Sequence, residues 1–262
     1  MGRYLGLDLG GTNIKVAVIE AADDGALEVV GRDSGPTEAA GGPSLVIDRL
    51  CELGRGAVAR WGPVEGAGVG VPGLYDQVSG RIELFPNLPG PWAGQAVVAP
   101  LTAGLGMPVA IINDARAFTL AETRMGAARG CSTVVCLVLG TGVGGGVVVD
   151  GRLRLGPHGR AGEIGHQVVV VDGPACGCGN RGCVEAVASA GALAELGGRK
   201  TAAEVFTAAA RGDERACAAV RAVAGHLALG IANMVTVLVP ERVVIGGGIA
   251  GAGDLLLEPI RQ

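Results

Sequence analysis

The stretch LGLDLGGTNIKVAVIE, residues 5–20, decides the fold of this 262-residue chain. It reads as a strand, a turn of consecutive glycines and a second strand rich in Val and Ile. The same order of elements returns in STVVCLVLGTGVGGGVVVDG, residues 132–151. Two copies of one strand–turn–strand unit predict a chain built from two similar lobes.

The remaining segments alternate between short apolar strands and helices. This alternation favours an α/β fold with a boundary near 115–130 and ligands bound in the cleft between the lobes. We set the lobes at 1–115 and 116–262. The strands are predicted in EGAGVGVPG (65–73), PVAIIND (108–114) and RVVIGGG (242–248), and the helices in 42–62, 114–126 and 213–238.

Charge and composition exclude several classes of protein. The net charge is −4 and the isoelectric point is near 5.4, so nothing indicates a nucleic-acid partner. No secretion signal opens the chain, and no run of eighteen apolar residues lacks both charge and glycine. We therefore expect a cytoplasmic protein without a membrane span, in which the seven cysteines do not form disulfides.

Consecutive glycines let backbone N–H groups converge on an anion, because no Cβ blocks the approach. Such turns occur in DLGGTN (8–13), where Thr12 adds a hydroxyl and Asp8 could hold Mg²⁺ through water, and in GTGVGGG (140–146). Either turn alone could be a hairpin without a ligand. Two turns at matching places predict a phosphate clamp.

Two other phosphate motifs are rejected. Residues 140–145 spell G-x-G-x-x-G, but the dinucleotide fingerprint leads into a helix and here VVVD follows. A Walker A loop needs a Gly-Lys pair, which the sequence lacks.

Asp114 ends a buried strand and opens a helix, beside Asn113. One reading is a simple helix N-cap, a common position for Asp. The other is a general base at the cleft, placed to accept the proton of a substrate hydroxyl during phosphoryl transfer.

A compact set of metal-binding side chains lies in residues 166–183. His166, Cys176, Cys178 and Cys183 supply one imidazole and three thiolates, a complete tetrahedral shell for structural Zn²⁺. The alternative is four buried residues without metal. With one imidazole nitrogen on zinc, the other can face a polar ligand beside Glu163 and Glu185. Each glutamate could instead be a solvated surface charge.

These motifs, in this order and over nearly the whole chain, resemble the ROK family of repressors and sugar kinases. The residues that carry the resemblance are DLGGTNIK, VPG (71–73), INDA (112–115), LGTGVGGG, AGEIGH, CGCGNRGCVE and VIGGG.

The resemblance implies an actin-like (ribonuclease H-like), two-lobed fold and an ATP-dependent hexokinase that phosphorylates the 6-hydroxyl of a hexose. It implies Asp114 as general base, Mg²⁺ with ATP, structural zinc and a homodimer. The implied sugar-binding residues are Gly73, Asn87, Asn113, Asp114, Glu163, His166 and Glu185. The implied residues for ATP and its phosphates are Asp8, Gly10, Gly11, Thr12, Lys15, Thr141, Gly142, Gly246, Gly247 and Gly248.

The chain departs from the family in two places. Arg116 stands where the family reads Asn, next to the predicted base, where it could alter substrate preference. We also expect the family's C-terminal helix to be missing, since the sequence stops soon after VIGGG.

Glucose is the preferred sugar. N-acetylmannosamine, N-acetylglucosamine, mannose and fructose stay open, as does polyphosphate in place of ATP. A non-catalytic sugar sensor ranks second. A transcriptional repressor ranks third, since a helix-turn-helix is not expected ahead of the first strand near Tyr4.

Overall fold

The computed structural model of the chain describes residues 2–86 and 88–262. Contacts group the chain into two units. The first comprises Met1–Ala117 and Leu155–Arg160, and the second comprises Phe118–Arg154 and Ala161–Gln262. This grouping differs from the sequence-based division at residues 116 and 117 and in the short segment Leu155–Arg160.

The first unit is built on one mixed sheet with the strand order β3-β2-β1-β4-β7. Strand β2 is antiparallel to β1 and β3, whereas β1, β4 and β7 are parallel. Its strands are β1 (Gly2–Leu9), β2 (Asn13–Ala21), β3 (Leu27–Pro36), β4 (Gly66–Val71), β5 (Leu74–Asp76), β6 (Arg81–Leu84) and β7 (Val109–Asn113). Its helices are α1 (Gly42–Trp61), α2 (Val98–Leu105) and the start of α3 (Asp114–Arg124).

Alternation in the strands and helical spacing in α1 build the core of this unit. Strand β1 buries Leu5, Leu7 and Leu9, and α1 buries Val46 and Leu50. Since β1, β4 and β7 are parallel, their carboxyl ends meet at one edge of the sheet. The predicted phosphate turn and Asp114 both follow strands at this edge.

The second unit repeats the arrangement with the order β10-β9-β8-β11. Its strands are β8 (Val134–Leu139), β9 (Val143–Val149), β10 (Arg152–Leu153) and β11 (Arg242–Gly246). Its helices are the rest of α3, α4 (Val184–Ala188), α5 (Ala190–Gly197), α6 (Ala202–Ala209), α7 (Glu214–Leu238) and α8 (Asp254–Arg261). Because β8–β9 pair as β1–β2 do and β11 runs parallel to β8, the predicted repeat is confirmed.

The long helix predicted over 213–238 is α7. The Asp213 carboxylate accepts the Ala216 N–H at 2.8 Å, so Asp213 is the N-cap, and the helix ends before Pro240. By length and composition alone α7 could cross a membrane. Seven of its residues are buried, however, and α7 contacts α4, α5, α6 and α8. A core helix of a globular unit has these properties.

Truncating a buried side chain of α7 tests this packing. Leu227 is fully buried, whereas Leu229, two residues on, is half exposed. We expect Leu227→Ala to lower the free energy of unfolding by about 2–5 kcal/mol, because it leaves a cavity. Leu229→Ala is the matched control and should change it by less than about 0.5 kcal/mol. Urea unfolding followed by circular dichroism measures both; equal losses would contradict the packing of α7.

Candidate active site

The first glycine turn connects β1 to β2. The Gly10 N–H donates to the Asn13 carbonyl at 3.1 Å, and a Cβ on Gly10 would lie only 2.7 Å from that oxygen. Thr37, which is fully buried, fastens the turn: its N–H donates to the Thr12 carbonyl at 2.9 Å and its hydroxyl to the Gly10 carbonyl at 2.7 Å. Thr37 carries no recognisable motif, and sequence reasoning missed it.

The turn leaves backbone donors available. Within residues 2–86 and 88–262, the N–H groups of Gly11 and Thr12 have no hydrogen-bond partner. Lys15 forms an ion pair with Asp8 at 3.3 Å between two largely exposed side chains, so this contact adds little stability. The turn therefore presents N–H groups, a hydroxyl and an ammonium to solvent, as an anion-binding site requires.

Asp8 and Asp114 lie close together at the sheet edge, on either side of Gly70 in β4. A Cβ on Gly70 would be 3.7 Å from both Asp8 Oδ1 and Asp114 Cα. The parallel register of β1, β4 and β7 produces this proximity, since Asp8 pairs with Gly70 and Val71 with Asn113. The predicted base thus borders the carboxylate predicted for Mg²⁺.

Asn113, and not Asp114, is the N-cap of α3, so the N-cap reading of Asp114 is wrong. The Asn113 Oδ1 atom accepts the N–H groups of Ala115 at 3.0 Å and Arg116 at 3.2 Å. Asp114 is the first residue of the helix, and its Oδ1 accepts the Ala115 N–H at 2.7 Å. The helix N-terminus favours a negative charge at this carboxylate.

Arg116 fixes the orientation of the Asn113 amide. Its side chain is buried, and Nη1 donates to Asn113 Oδ1 at 2.9 Å. Nδ2 of Asn113 donates to the Gly73 carbonyl at 3.0 Å. With Oδ1 already accepting three donors, Asn113 offers a ligand mainly its second N–H. Arg116, which departs from the family pattern, therefore positions Asn113, a predicted sugar-binding residue.

Gly73 must be glycine. Its φ is +78°, and a Cβ would lie 2.2 Å from the Leu84 carbonyl oxygen. The loop after β4 therefore folds tightly against β6. The predicted sugar-binding residue Asn87 lies outside the described residues.

The second glycine turn connects β8 to β9. The Gly140 N–H donates to the Gly142 carbonyl at 2.9 Å, and the Val143 N–H donates to Glu185 Oε2 at 3.0 Å. In the part of the chain that the structure describes, Thr141 N–H and Gly142 N–H have no hydrogen-bond partner. Both glycine turns thus present free backbone donors.

The glycines after β11 lie beside this turn. Gly246 pairs with Val138 of β8, and a Cβ on it would come 2.3 Å from the Phe118 ring. Gly247 has a φ of +89°, and a Cβ there would come 2.3 Å from the Leu139 carbonyl. The residues predicted for ATP in the second unit therefore gather at one end of one sheet.

The four predicted zinc ligands form one cluster. The ligand atoms of His166, Cys176, Cys178 and Cys183 all lie within 4.8 Å of one another. The Cys178 and Cys183 sulfurs are 3.6 Å apart, and Cys176 Sγ is 3.5 Å from His166 Nδ1. A tetrahedral Zn²⁺ separates two sulfur ligands by about 3.8 Å and sulfur from nitrogen by about 3.5 Å. The donor set and its spacing fit zinc.

The surroundings of two of the thiols shift their pKa values in opposite directions. Cys183 is fully buried, and burial raises its pKa to about 12. The backbone N–H of Asn180 lowers the pKa of Cys178. A buried thiolate at Cys183 needs a nearby positive charge, which a metal ion supplies.

Glu163 and His166 lie on a turn that contacts the backbone of β9. A Cβ on Gly165 would come 1.8 Å from the Val143 carbonyl oxygen, so only glycine allows this contact. His166 Nδ1 faces Cys176, and Nε2 lies 3.9 Å from Glu163 Oε2. One ring nitrogen can thus bind the metal while the other faces the Glu163 carboxylate.

A sequence model of the ROK family matches residues 4–262. The chain belongs to the ROK family. This ROK protein is 37% identical to a glucokinase of Thermotoga maritima, over 99% of this chain and 86% of that protein. The chain covers less than the full length of that relative.

Two solved structures are similar to this ROK protein. A ROK hexokinase from Thermus thermophilus is 36% identical, with a TM-score of 0.86 over 99% of this chain and 88% of that one. A ROK family glucokinase from Streptomyces griseus, solved with glucose and AMPPNP, is 30% identical, with a TM-score of 0.83 over the same shares. The predicted family and its actin-like fold are confirmed.

The predicted site residues of this ROK protein fall into two groups. The first unit brings together the β1–β2 turn, Asp8, Asn113, Asp114 and Gly73. The second brings together the β8–β9 turn, the glycines after β11, and the metal cluster with Glu163 and Glu185. Sequence reasoning missed Thr37 and the contact from Glu185 to the turn.

Metal analysis tests the cluster. We expect about one zinc per chain, and less than about a tenth of that in Cys183→Ser, because the variant loses one of the four ligands. Cys131→Ser is the matched control, since Cys131 is not in the cluster and should leave the zinc content unchanged. A folded, zinc-free wild-type protein would contradict the assignment.

Proposed function

We propose that this ROK protein is an ATP-dependent hexokinase that phosphorylates the 6-hydroxyl of glucose. The observation that carries the proposal is the proximity of Asp114 to a turn with free N–H groups in the same unit. The similarity to proteins named glucokinase and hexokinase supports it. Phosphoryl transfer needs an oriented nucleophile, held phosphates and charge neutralisation, and these residue groups can provide the first two.

Asp114 is the proposed general base. It accepts the proton of the sugar's 6-hydroxyl as the oxygen attacks the γ-phosphorus, and the carboxylate need not be a strong base because the proton leaves late. Asn113 positions the sugar through its remaining N–H, with the backbone of Gly73 behind it. Glu163 and Glu185 accept hydrogen bonds from the sugar hydroxyls, and His166 donates one from Nε2.

The phosphates of ATP are proposed to bind at the two glycine turns. Gly10, Gly11 and Thr12 supply donors in one unit, and Thr141 and Gly142 supply them in the other. Lys15 would add a positive charge, Asp8 would hold Mg²⁺ through water, and Gly246, Gly247 and Gly248 would border the adenosine. Mg²⁺ bound with ATP neutralises charge on the phosphates. The Cys₃His cluster is proposed to hold structural zinc. The proposal includes a homodimer, which the family resemblance implies, and the cytoplasmic location expected from the sequence.

A substrate panel tests the proposed function. ADP release from Mg·ATP is measured with glucose, mannose, fructose, N-acetylmannosamine and N-acetylglucosamine, and again with polyphosphate in place of ATP as donor. We expect the highest kcat/KM for glucose with ATP. Turnover of another sugar alone would make that sugar the substrate in place of glucose. No ADP release with any sugar or donor would contradict the proposed kinase activity.

Replacing the proposed base tests the mechanism. We expect Asp114→Asn to lower kcat by about 10²–10⁴-fold, because the amide cannot accept the hydroxyl proton. Glucose binding, followed by calorimetry, should change little. Asp48→Asn on an exposed position of α1 is the matched control and should keep wild-type turnover. Near-normal turnover in Asp114→Asn would remove it as base.

A further inference from the structure

Glu185 lies between the β8–β9 turn and the cysteine cluster, and its two carboxylate oxygens face different neighbours. Oε2 accepts the Val143 N–H at 3.0 Å, at the point where the turn enters β9. Oε1 lies 3.8 Å from Cys176 Sγ, a predicted metal ligand. A single side chain therefore connects the turn proposed for ATP phosphates to the cluster proposed for zinc.

The turn is shaped around this carboxylate. A Cβ on Gly142 would come 2.3 Å from Glu185 Oε2, so glycine at this position lets the carboxylate reach the backbone. Val143 is buried, so water cannot readily replace the carboxylate as acceptor of its N–H. The Ala190 N–H donates to the Gly140 carbonyl at 2.9 Å and adds a second contact from the same stretch of chain.

The position of Glu185 is in turn set by the cluster. Cys183 is the N-cap residue of α4, and Glu185 is the second residue of that helix. Cys183 thus sets the start of the helix that carries Glu185, while Cys176 Sγ lies beside Oε1. Ligands held by a metal would fix both.

We propose that Glu185 is a positioning residue that holds the β8–β9 turn in the geometry for ATP phosphates and makes this geometry depend on the metal cluster. The inference rests on the proposed kinase function and deepens it. Oε1 can still meet a sugar hydroxyl, the role that the family resemblance implies, whereas Oε2 serves the turn.

Two variants of the metal-loaded 262-residue chain test this inference. Glu185→Ala removes the acceptor of the Val143 N–H, and Glu185→Gln restores a neutral acceptor of the same length. Glu195→Ala is the matched control, because Glu195 is exposed on the neighbouring helix α5. Hydrogen–deuterium exchange of the Val143 amide, the KM values for Mg·ATP and for glucose, and the zinc content are measured for each.

We expect Glu185→Ala to speed exchange of the Val143 amide and to raise the KM for Mg·ATP, each by about tenfold, from the loss of a hydrogen bond to a charged group. Glu185→Gln should stay within about threefold of wild type in both, since its carbonyl oxygen still accepts. Glu195→Ala should change neither, and all variants should keep their zinc.

Removing the metal with a chelator provides a second arm. In the wild type, metal removal should speed exchange of the Val143 amide to the rate seen in Glu185→Ala. In Glu185→Ala itself, metal removal should not speed this exchange further. The amides of β2, in the other unit, are the internal reference for intact folding. Unchanged Val143 exchange in Glu185→Ala, with only the KM for sugar raised, would overturn the inference and leave Glu185 as a sugar ligand. Val143 exchange is measured without turnover, so a chain inactive on every sugar would refute the kinase and still decide the inference.

Discussion

Close approach to glycine backbone is the constraint on which both turns proposed for phosphate depend. An anion bound by N–H groups occupies the space where a Cβ would stand, so the turns at 10–12 and 140–142 consist largely of glycine. Glycine also gives the unfolded chain many conformations, and the folded turn has to be held by other residues. Thr37 does this for the first turn, and Glu185 with Ala190 for the second. The geometry of the turns therefore depends on Thr37, Glu185 and Ala190 as much as on the glycines.

The region from β10 to α4 shows how a segment with little apolar burial can be ordered. Among the described residues it contains only two short 3-10 helices, Pro157–Gly159 and Ile164–His166. Ile164 is buried in the core of the second unit, but Val168 and Val171 are exposed, so apolar burial anchors only part of this segment. The Cys₃His cluster holds the segment together, and Cys183 directly precedes α4, whose Val184 and Ala188 are buried in the core of the second unit.

The sequence predicted those features whose physical cause is local. Two glycine turns flanked by Val- and Ile-rich strands identify the repeated unit, and the spacing of His166, Cys176, Cys178 and Cys183 identifies the cluster, because each depends on neighbours in the chain. The sequence predicts the N-cap of α3 one residue too late, at Asp114. Asn and Asp are both good caps, and the choice between them depends on the contacts of Asn113 with Arg116 and Gly73. Thr37 was missed because the atoms it binds belong to residues 25 and 27 positions earlier. The contact of Glu185 with Val143 spans 42 residues and is equally invisible in a local pattern.

The contact of Gly165 with β9 bears on how this protein can be redesigned. Its α-carbon lies so near the Val143 carbonyl that even a methyl group would push the Glu163–His166 turn away from the strand. Strand β9 begins at the turn that Glu185 holds. A Cβ at position 165 would therefore disturb residues proposed for the sugar and residues proposed for ATP. Position 165 is therefore a poor choice for a library aimed at sugar preference, because any side chain there would meet backbone that cannot give way. Arg116 is the better position to vary, because it acts on the Asn113 amide through a side chain and leaves the strand–turn backbone intact.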